Sequence, residues 1–147
     1  MDFKLSAADL EVQARARAFT ENHLFPNEIA CDERRLGKEK LAEIRQQVIA
    51  HKLNGYIHAL GDGGQGYTPM QQILVAEEIG KSTCGMWTVV WKASTPLRRG
   101  TPWQRETFLL PFNAGKGRSC FAITEEGAGS DPSLVKTSAV RRNGKWV

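Results

Sequence analysis

Apolar positions in the first two-thirds of the chain recur at helical spacing. Val12, Ala16, Phe19 and His23 fall at i, i+4, i+7 and i+11, one face of a helix. Ser6 followed by Asp9 resembles a capping box with Asp in place of the usual Glu or Gln, so the helix starts there. Pro26 ends or breaks it near Phe25. A second helix is predicted over about 38–53, with the stripe Leu41, Ile44, Val48 and a stop at Asn54-Gly55. Thr68-Pro69 reads as an N-cap followed by proline at the first helical position. The helix it opens carries Met70, Ile73, Leu74 and Val75 and stops at Gly80. Ser82 or Thr83 caps a further helix in which Trp87 and Trp91 stand four apart, a spacing more often core packing than a ligand box. Pro96 limits or kinks it. Gly100-Thr101-Pro102 repeats the stop, cap and proline, opening a short helix to Leu110 before Pro111.

The pattern then changes. Asn113 to Gly117 reads as a turn-rich hinge, and Ser119 to Thr124 as a strand-like apolar run. A loop of small residues covers 125–132, and 135–142 reads as a second strand. Asn143-Gly144 is a type I′ hairpin signal, with a return strand at Lys145-Trp146-Val147. No internal repeat is found.

Composition narrows the class. Of 147 residues, 41% are apolar and 24% charged, which suits a globular chain rather than a disordered one. No apolar run approaches the ~20 residues that span a bilayer, so no membrane span is expected. Residues 1–115 carry 14 basic and 13 acidic side chains, a net of +1; residues 116–147 carry 6 and 3, a net of +3. A nucleic-acid surface usually shows a dense basic stripe with interleaved aromatics. Here Arg141, Arg142 and Lys145 only flank a turn, so a solvated hairpin is expected and no nucleic-acid partner. Cys31, Cys84 and Cys120 form no CxxC pair, and His23, His51 and His58 make no metal-ligand spacing. Neither a disulfide framework nor a zinc site is expected. With no apolar leader segment at the N-terminus, a reducing cytoplasm is the default location.

Two features invite a chemical reading. The loop Gly61-Asp-Gly-Gly-Gln-Gly66 suggests a phosphate cradle, but it lacks both GxxxxGK[ST] and GxGxxG, and no clear strand leads into it. A mobile connection is expected there. Glu125 and Glu126 suggest a general base, a role taken up below.

The segment Phe121-Ala-Ile-Thr-Glu-Glu-Gly-Ala-Gly-Ser-Asp131 resembles the flavin-binding signature of acyl-CoA dehydrogenases, with Glu126 where that family usually has proline. Ser133 to Ala139 is similar to the family's LxTxA strand, and Gly100-Thr-Pro-Trp-Gln-Arg105 with Leu110-Pro111 to its GTxxQK…LP stretch. Ala76-Glu-Glu-Ile-Gly80 resembles its xEELG helix end, and Met1-Asp-Phe-x-Leu a bacterial family N-terminus. The resemblance covers the whole chain.

It implies a mainly α fold: an N-terminal helical bundle, residues 1–115, followed by the start of an incomplete middle β-barrel domain, residues 116–147. It implies FAD as cofactor, with contacts from Phe121, Ile123, Thr124, Gly129 and Ser130, and Ser130 also near an acyl-CoA substrate. Small residues suit this chemistry, because a pyrophosphate needs close backbone approach, hydroxyls and N–H donors. The same loop reads independently as an Asx- or ST-turn at Ser130-Asp131. In the family the proton-abstracting carboxylate belongs to the C-terminal helical domain, so neither Glu125 nor Glu126 is assigned as base and no catalytic residue is expected in this chain. The resemblance further implies an electron-transferring flavoprotein as redox partner, a homo-oligomer such as the family tetramer, and a place in fatty acid metabolism. Two other classes stay open: a non-catalytic helical interaction module or truncated paralogue, and an acyl-CoA oxidase or flavin monooxygenase of the same fold.

Overall fold

The computed structural model describes residues 4–147 except 84, 118 and 121. Helices α1 (Ala7–Phe19), α2 (Glu28–Asp32), α3 (Lys38–Ala50), α4 (Pro69–Ile79), α5 (Pro102–Gln104) and α6 (Leu110–Asn113) are followed by a two-stranded antiparallel ribbon, β1 (Arg141–Arg142) and β2 (Lys145–Trp146). The chain is mainly α, as the periodicity predicts.

Three helix starts share one device. Ser6, Thr68 and Thr101 each accept the backbone N–H three residues on, and Asp9, Gln71 and Gln104 return a side-chain acceptor to the cap N–H. Each box satisfies two amide donors that the first turn otherwise leaves unpaired.

Pro26 and Pro111 do not end their helices. A π-helical turn precedes each, at Thr20–Leu24 and Arg105–Leu109. The Phe25 N–H donates to the Thr20 carbonyl, and the Leu110 N–H to that of Arg105. Proline lacks the donor and crowds the carbonyl four residues back; the wider turn removes that conflict and lets the chain continue helically. The extra residue also moves the buried face. After Val12, Ala16 and Phe19 the next buried apolar side chain is Leu24, five residues on, while His23 is only half-buried.

α1 packs along α4, and the core joins Phe19 and Leu24 to Ile44, Val48, Leu53 and Val75. On α4 the inward positions are Leu74, Val75, Glu78 and Ile79, whereas Met70 and Ile73 face outward. Glu78 is buried as an ion, with Arg17 at 3.0 Å and Lys81 at 2.7 Å. Burial raises its pKa, but the two cations outweigh that and hold the carboxyl below its ordinary range. α3 stops at Ala50, four residues before the expected Asn54-Gly55. Lys52 adopts φ 54° and the Leu53 N–H reaches back to the Val48 carbonyl, a Schellman closure with lysine in the position that usually favours glycine.

Trp87 and Trp91 do not share a face. The segment Met86–Val89 is a 3-10 turn, which leaves Trp87 half-exposed and buries Trp91. At the C-terminal end, Asn143 and Gly144 both take positive φ (49° and 77°), the type I′ turn expected, and Val140 and Val147 exchange two 3.0 Å hydrogen bonds. Among the described residues of 119–124 no strand forms, since none of them finds a ladder partner; the only pairing nearby is an isolated bridge between Glu125 and Ala128.

Candidate functional site

The bridge shapes the loop that carries the predicted cofactor contacts. The Glu125 N–H donates to the Ala128 carbonyl at 3.0 Å, and the Ala128 N–H to that of Glu125 at 3.1 Å. This closes a four-residue turn and sets Thr124 and Gly129 at the adjoining positions of the two arms. Ala128 is the buried anchor, 2% exposed. Ile123, Thr124 and Ser130 are exposed around it, and the Thr124 and Ser130 hydroxyls make no hydrogen bond among the described residues. A Cβ on Gly127 or Gly129 would meet no atom of the described residues within 4 Å, so no contact among them requires glycine there. Phe121 lies outside the described residues.

Two carboxylates hold the loop. Glu125 accepts the Lys136 and Thr137 amides at 2.9 Å each, and the Thr137 hydroxyl as well. These bonds, the Thr137 hydroxyl first, keep its carboxyl below the ordinary carboxylate range. Asp131 accepts the Ser133 amide at 2.9 Å and its hydroxyl at 2.6 Å, the Asx-turn read from the sequence. Glu125 is therefore a clasp between the loop and the next segment.

A cavity of about 500 Å³ opens between α3 and the segment leading into this loop. Leu41 and Arg45 line it from α3, and Trp91, Phe112, Gly117 and Ser119 complete the lining with their neighbours. A second cavity of about 470 Å³ adjoins it, sharing Leu41, Arg45 and Gly117.

Behind it lies a buried polar hub around Asn113, which is fully buried. Its Nδ2 donates to the Asp62 carbonyl at 2.8 Å and meets His58 Nδ1 at 2.7 Å, while its Oδ1 accepts the Ala93 N–H at 3.0 Å. Its backbone carbonyl accepts from Asn54 Nδ2 and Trp91 Nε1. Residues 113–117, expected as a hinge, thus begin at a polar group anchored by five hydrogen-bond contacts. The glycine-rich loop is tied to the same hub rather than loose. A Cβ on Gly64 would stand 2.4 Å from the His58 carbonyl oxygen and 2.5 Å from that of Gly55, so only glycine lets these backbones meet. Asp62 in the same loop binds Arg98 at 2.7 Å and Arg105 at 2.8 Å. Burial pushes its pKa up, and the two guanidiniums reverse that to a net lowering. Sequence reasoning missed this hub because its partners lie 20–59 residues apart.

Residues 6–116 match the family model described as acyl-CoA dehydrogenase, N-terminal domain. The chain belongs to the acyl-CoA dehydrogenase family. Within that family it is 34% identical to (R)-benzylsuccinyl-CoA dehydrogenase of Thauera aromatica, over all of this chain and 40% of the relative. It is 29% identical to the short-chain specific acyl-CoA dehydrogenase of Clostridium acetobutylicum, over all of this chain and 39% of the relative. Among solved structures, butyryl-CoA dehydrogenase from Megasphaera elsdenii superposes with a TM-score of 0.72 at 29% identity, covering 99% of this chain and 40% of that one. A structure described for the electron transferring flavoprotein of Acidaminococcus fermentans and flavin-based electron bifurcation gives a TM-score of 0.76 at 27% identity, covering 100% of this chain and 39% of that one. The chain spans about 40% of the length of the relatives it matches. Among the described residues no helix is long and apolar enough to cross a membrane.

Proposed function

We propose that the chain contributes the N-terminal helical domain (residues 1–115) and the first flavin-contacting segment (from residue 116) of an FAD-dependent acyl-CoA dehydrogenase. The reaction is α,β-dehydrogenation of an acyl-CoA thioester to the 2-enoyl-CoA. The observation that carries this reading is the turn at 124–130, which stands in a chain of this family and presents two unengaged hydroxyls from a loop of small residues.

That donor set fits a flavin nucleotide. Thr124 and Ser130 offer hydroxyls with no hydrogen bond among the described residues, and the open space over Gly127 and Gly129 admits a bulky ligand against the backbone. Ile123, Thr124, Gly129 and Ser130, together with Phe121, are the residues that would hold FAD, and Ser130 also contacts the acyl-CoA. Bound FAD supplies the hydride acceptor. The residues of this chain bind and orient. Glu125 keeps the turn closed, and its oxygens are occupied by Lys136 and Thr137, so it is a poor proton acceptor. The α-proton is taken by a group elsewhere in the protein. An electron-transferring flavoprotein would be the redox partner, and the protein assembles as a homo-oligomer.

Ser130→Ala tests the assignment. A hydrogen bond to a charged phosphate is worth about 1.5–3 kcal/mol, or roughly one to two orders of magnitude in affinity. Weaker FAD or acyl-CoA binding by up to that factor, with unchanged stability, supports it. Lost stability with unchanged affinity makes the hydroxyl a turn-forming group and removes the assignment.

A further inference from the structure

We propose that the cavity between α3 and residues 87–119 receives an acyl group bearing its own carboxylate, recognised by Arg45 and Lys92. The inference rests on the acyl-CoA reading above and names the substrate class within it.

The cavity holds about 500 Å³, within the range of small-molecule sites. Leu41, Trp87, Trp91 and Phe112 give it apolar and aromatic surface, and among the described residues Arg45 and Lys92 are its charged lining groups. Both cations are held by aromatic faces. The Arg45 guanidinium carbon lies 4.8 Å from the centre of the Trp91 ring. The Lys92 Nζ lies 5.2 Å from the centre of the Tyr56 ring and donates to the Tyr56 hydroxyl at 3.3 Å. Among the described residues neither forms an ion pair, whereas Arg15, Arg17, Lys81, Arg98 and Arg105 each do. Among the described residues no acidic side chain lines this cavity or the adjoining one, which adds Lys38 and Lys116. A neutral alkyl chain seated here would displace water from these cations and return nothing for it. A carboxylate on the acyl group compensates both charges through charge-assisted hydrogen bonds. Gly117 and Ser119, which line the cavity, lie in the sequence just before the segment proposed to hold the flavin, so the cavity and that segment are neighbours along the chain.

Anionic oxygen on this ligand has two sources, the acyl carboxylate and the phosphates of coenzyme A. Thioesters of N-acetylcysteamine carry no phosphate and separate them. Binding of glutaryl- and pentanoyl-N-acetylcysteamine to the protein is followed by tryptophan fluorescence, since Trp87 and Trp91 line the cavity. The glutaryl thioester is expected to bind about tenfold tighter or more. Arg45→Met and Lys92→Met are each expected to lower that preference severalfold; Lys92 is exposed, so its variant keeps the test clear of folding defects. Equal affinities for the two thioesters overturn the proposal, as does a preference that survives both substitutions. Coenzyme A without an acyl group competing as well as the glutaryl thioester assigns the cations to phosphate and overturns it too. Binding of neither thioester also overturns it; flavin reduction by a neutral acyl-CoA in the same preparation shows that the dehydrogenase reading stands without it.

Discussion

The Asn113 carboxamide meets His58 Nδ1 at 2.7 Å in the interior. The Ala93 N–H at Oδ1 and the Asp62 carbonyl at Nδ2 fix which way the amide points, so Nδ2 is the donor and His58 Nδ1 must accept. His58 is therefore neutral, with its proton on Nε2. Protonation would set a second N–H against the Asn113 donor.

Stability is expected to fall on mild acidification. Burial, then repulsion from Arg98, holds the His58 pKa below the ordinary 6.5, and burial, then His51, does the same for His23. Above about pH 6.5 these imidazoles are neutral in both folded and unfolded chains and nothing is lost. Below it the unfolded chain binds protons that the folded chain refuses, until the pH passes the depressed folded values. Urea midpoints should drop between pH 7.5 and 5, and His58→Gln should flatten that slope. A pH-independent midpoint over this range would contradict the tautomer assignment. A second loss is expected at lower pH, where the lowered pKa values of Glu78 and Asp62 come into play.

Asn113→Ala should be among the most damaging substitutions in the chain. It leaves the Ala93 N–H, the Asp62 carbonyl and His58 Nδ1 without their partner in a buried site. At about 1–3 kcal/mol for each unsatisfied group, a loss of about 3 kcal/mol or more is expected from denaturant unfolding.

Gly64→Ala and Gly129→Ala should separate packing glycines from ligand-facing ones. The first drives a Cβ into two backbone carbonyls and should cost about 3 kcal/mol, at the upper end of overpacking. The second meets open space and should change thermal stability by less than about 0.5 kcal/mol. Similar effects at both positions would refute this division.

Glu125→Ala should release the Lys136 and Thr137 amides while barely changing global stability, because the site is exposed. Hydrogen exchange at those two amides should accelerate by about tenfold, the equivalent of about 1.4 kcal/mol of local protection.

Local chemistry was readable in the sequence where a few adjacent residues decide it. The box at Ser6, the caps at Thr68 and Thr101 and the Asn143-Gly144 turn each depend on partners within three residues, although the return bonds from Gln71 and Gln104 that complete the last two boxes emerge only in the fold. Pro26 and Pro111 misled because proline signals a break, yet one extra residue per turn accommodates it, and that widening leaves no mark in composition. Trp87 and Trp91 misled because helical spacing was assumed across a 3-10 turn. The glycine-rich loop read as mobile because its packing partners, His58, Gly55 and Asn113, become neighbours only in the fold. At the candidate site, the small-residue turn and its two hydroxyls were legible from residues 121–131, whereas the Arg45–Trp91 wall of the cavity joins positions 46 residues apart and was not.

Anaerobic titration of the complete FAD-loaded protein, which includes the proton-abstracting group outside this chain, with acyl-CoA thioesters, read at the flavin absorbance near 450 nm, tests the central claim most directly. The account predicts bleaching of the flavin by an acyl-CoA, with Ser130→Ala shifting the titration to higher ligand concentration by up to about one to two orders of magnitude. A protein that takes up no FAD, or whose flavin stays oxidised with neutral and carboxylate-bearing acyl-CoA alike, would contradict it.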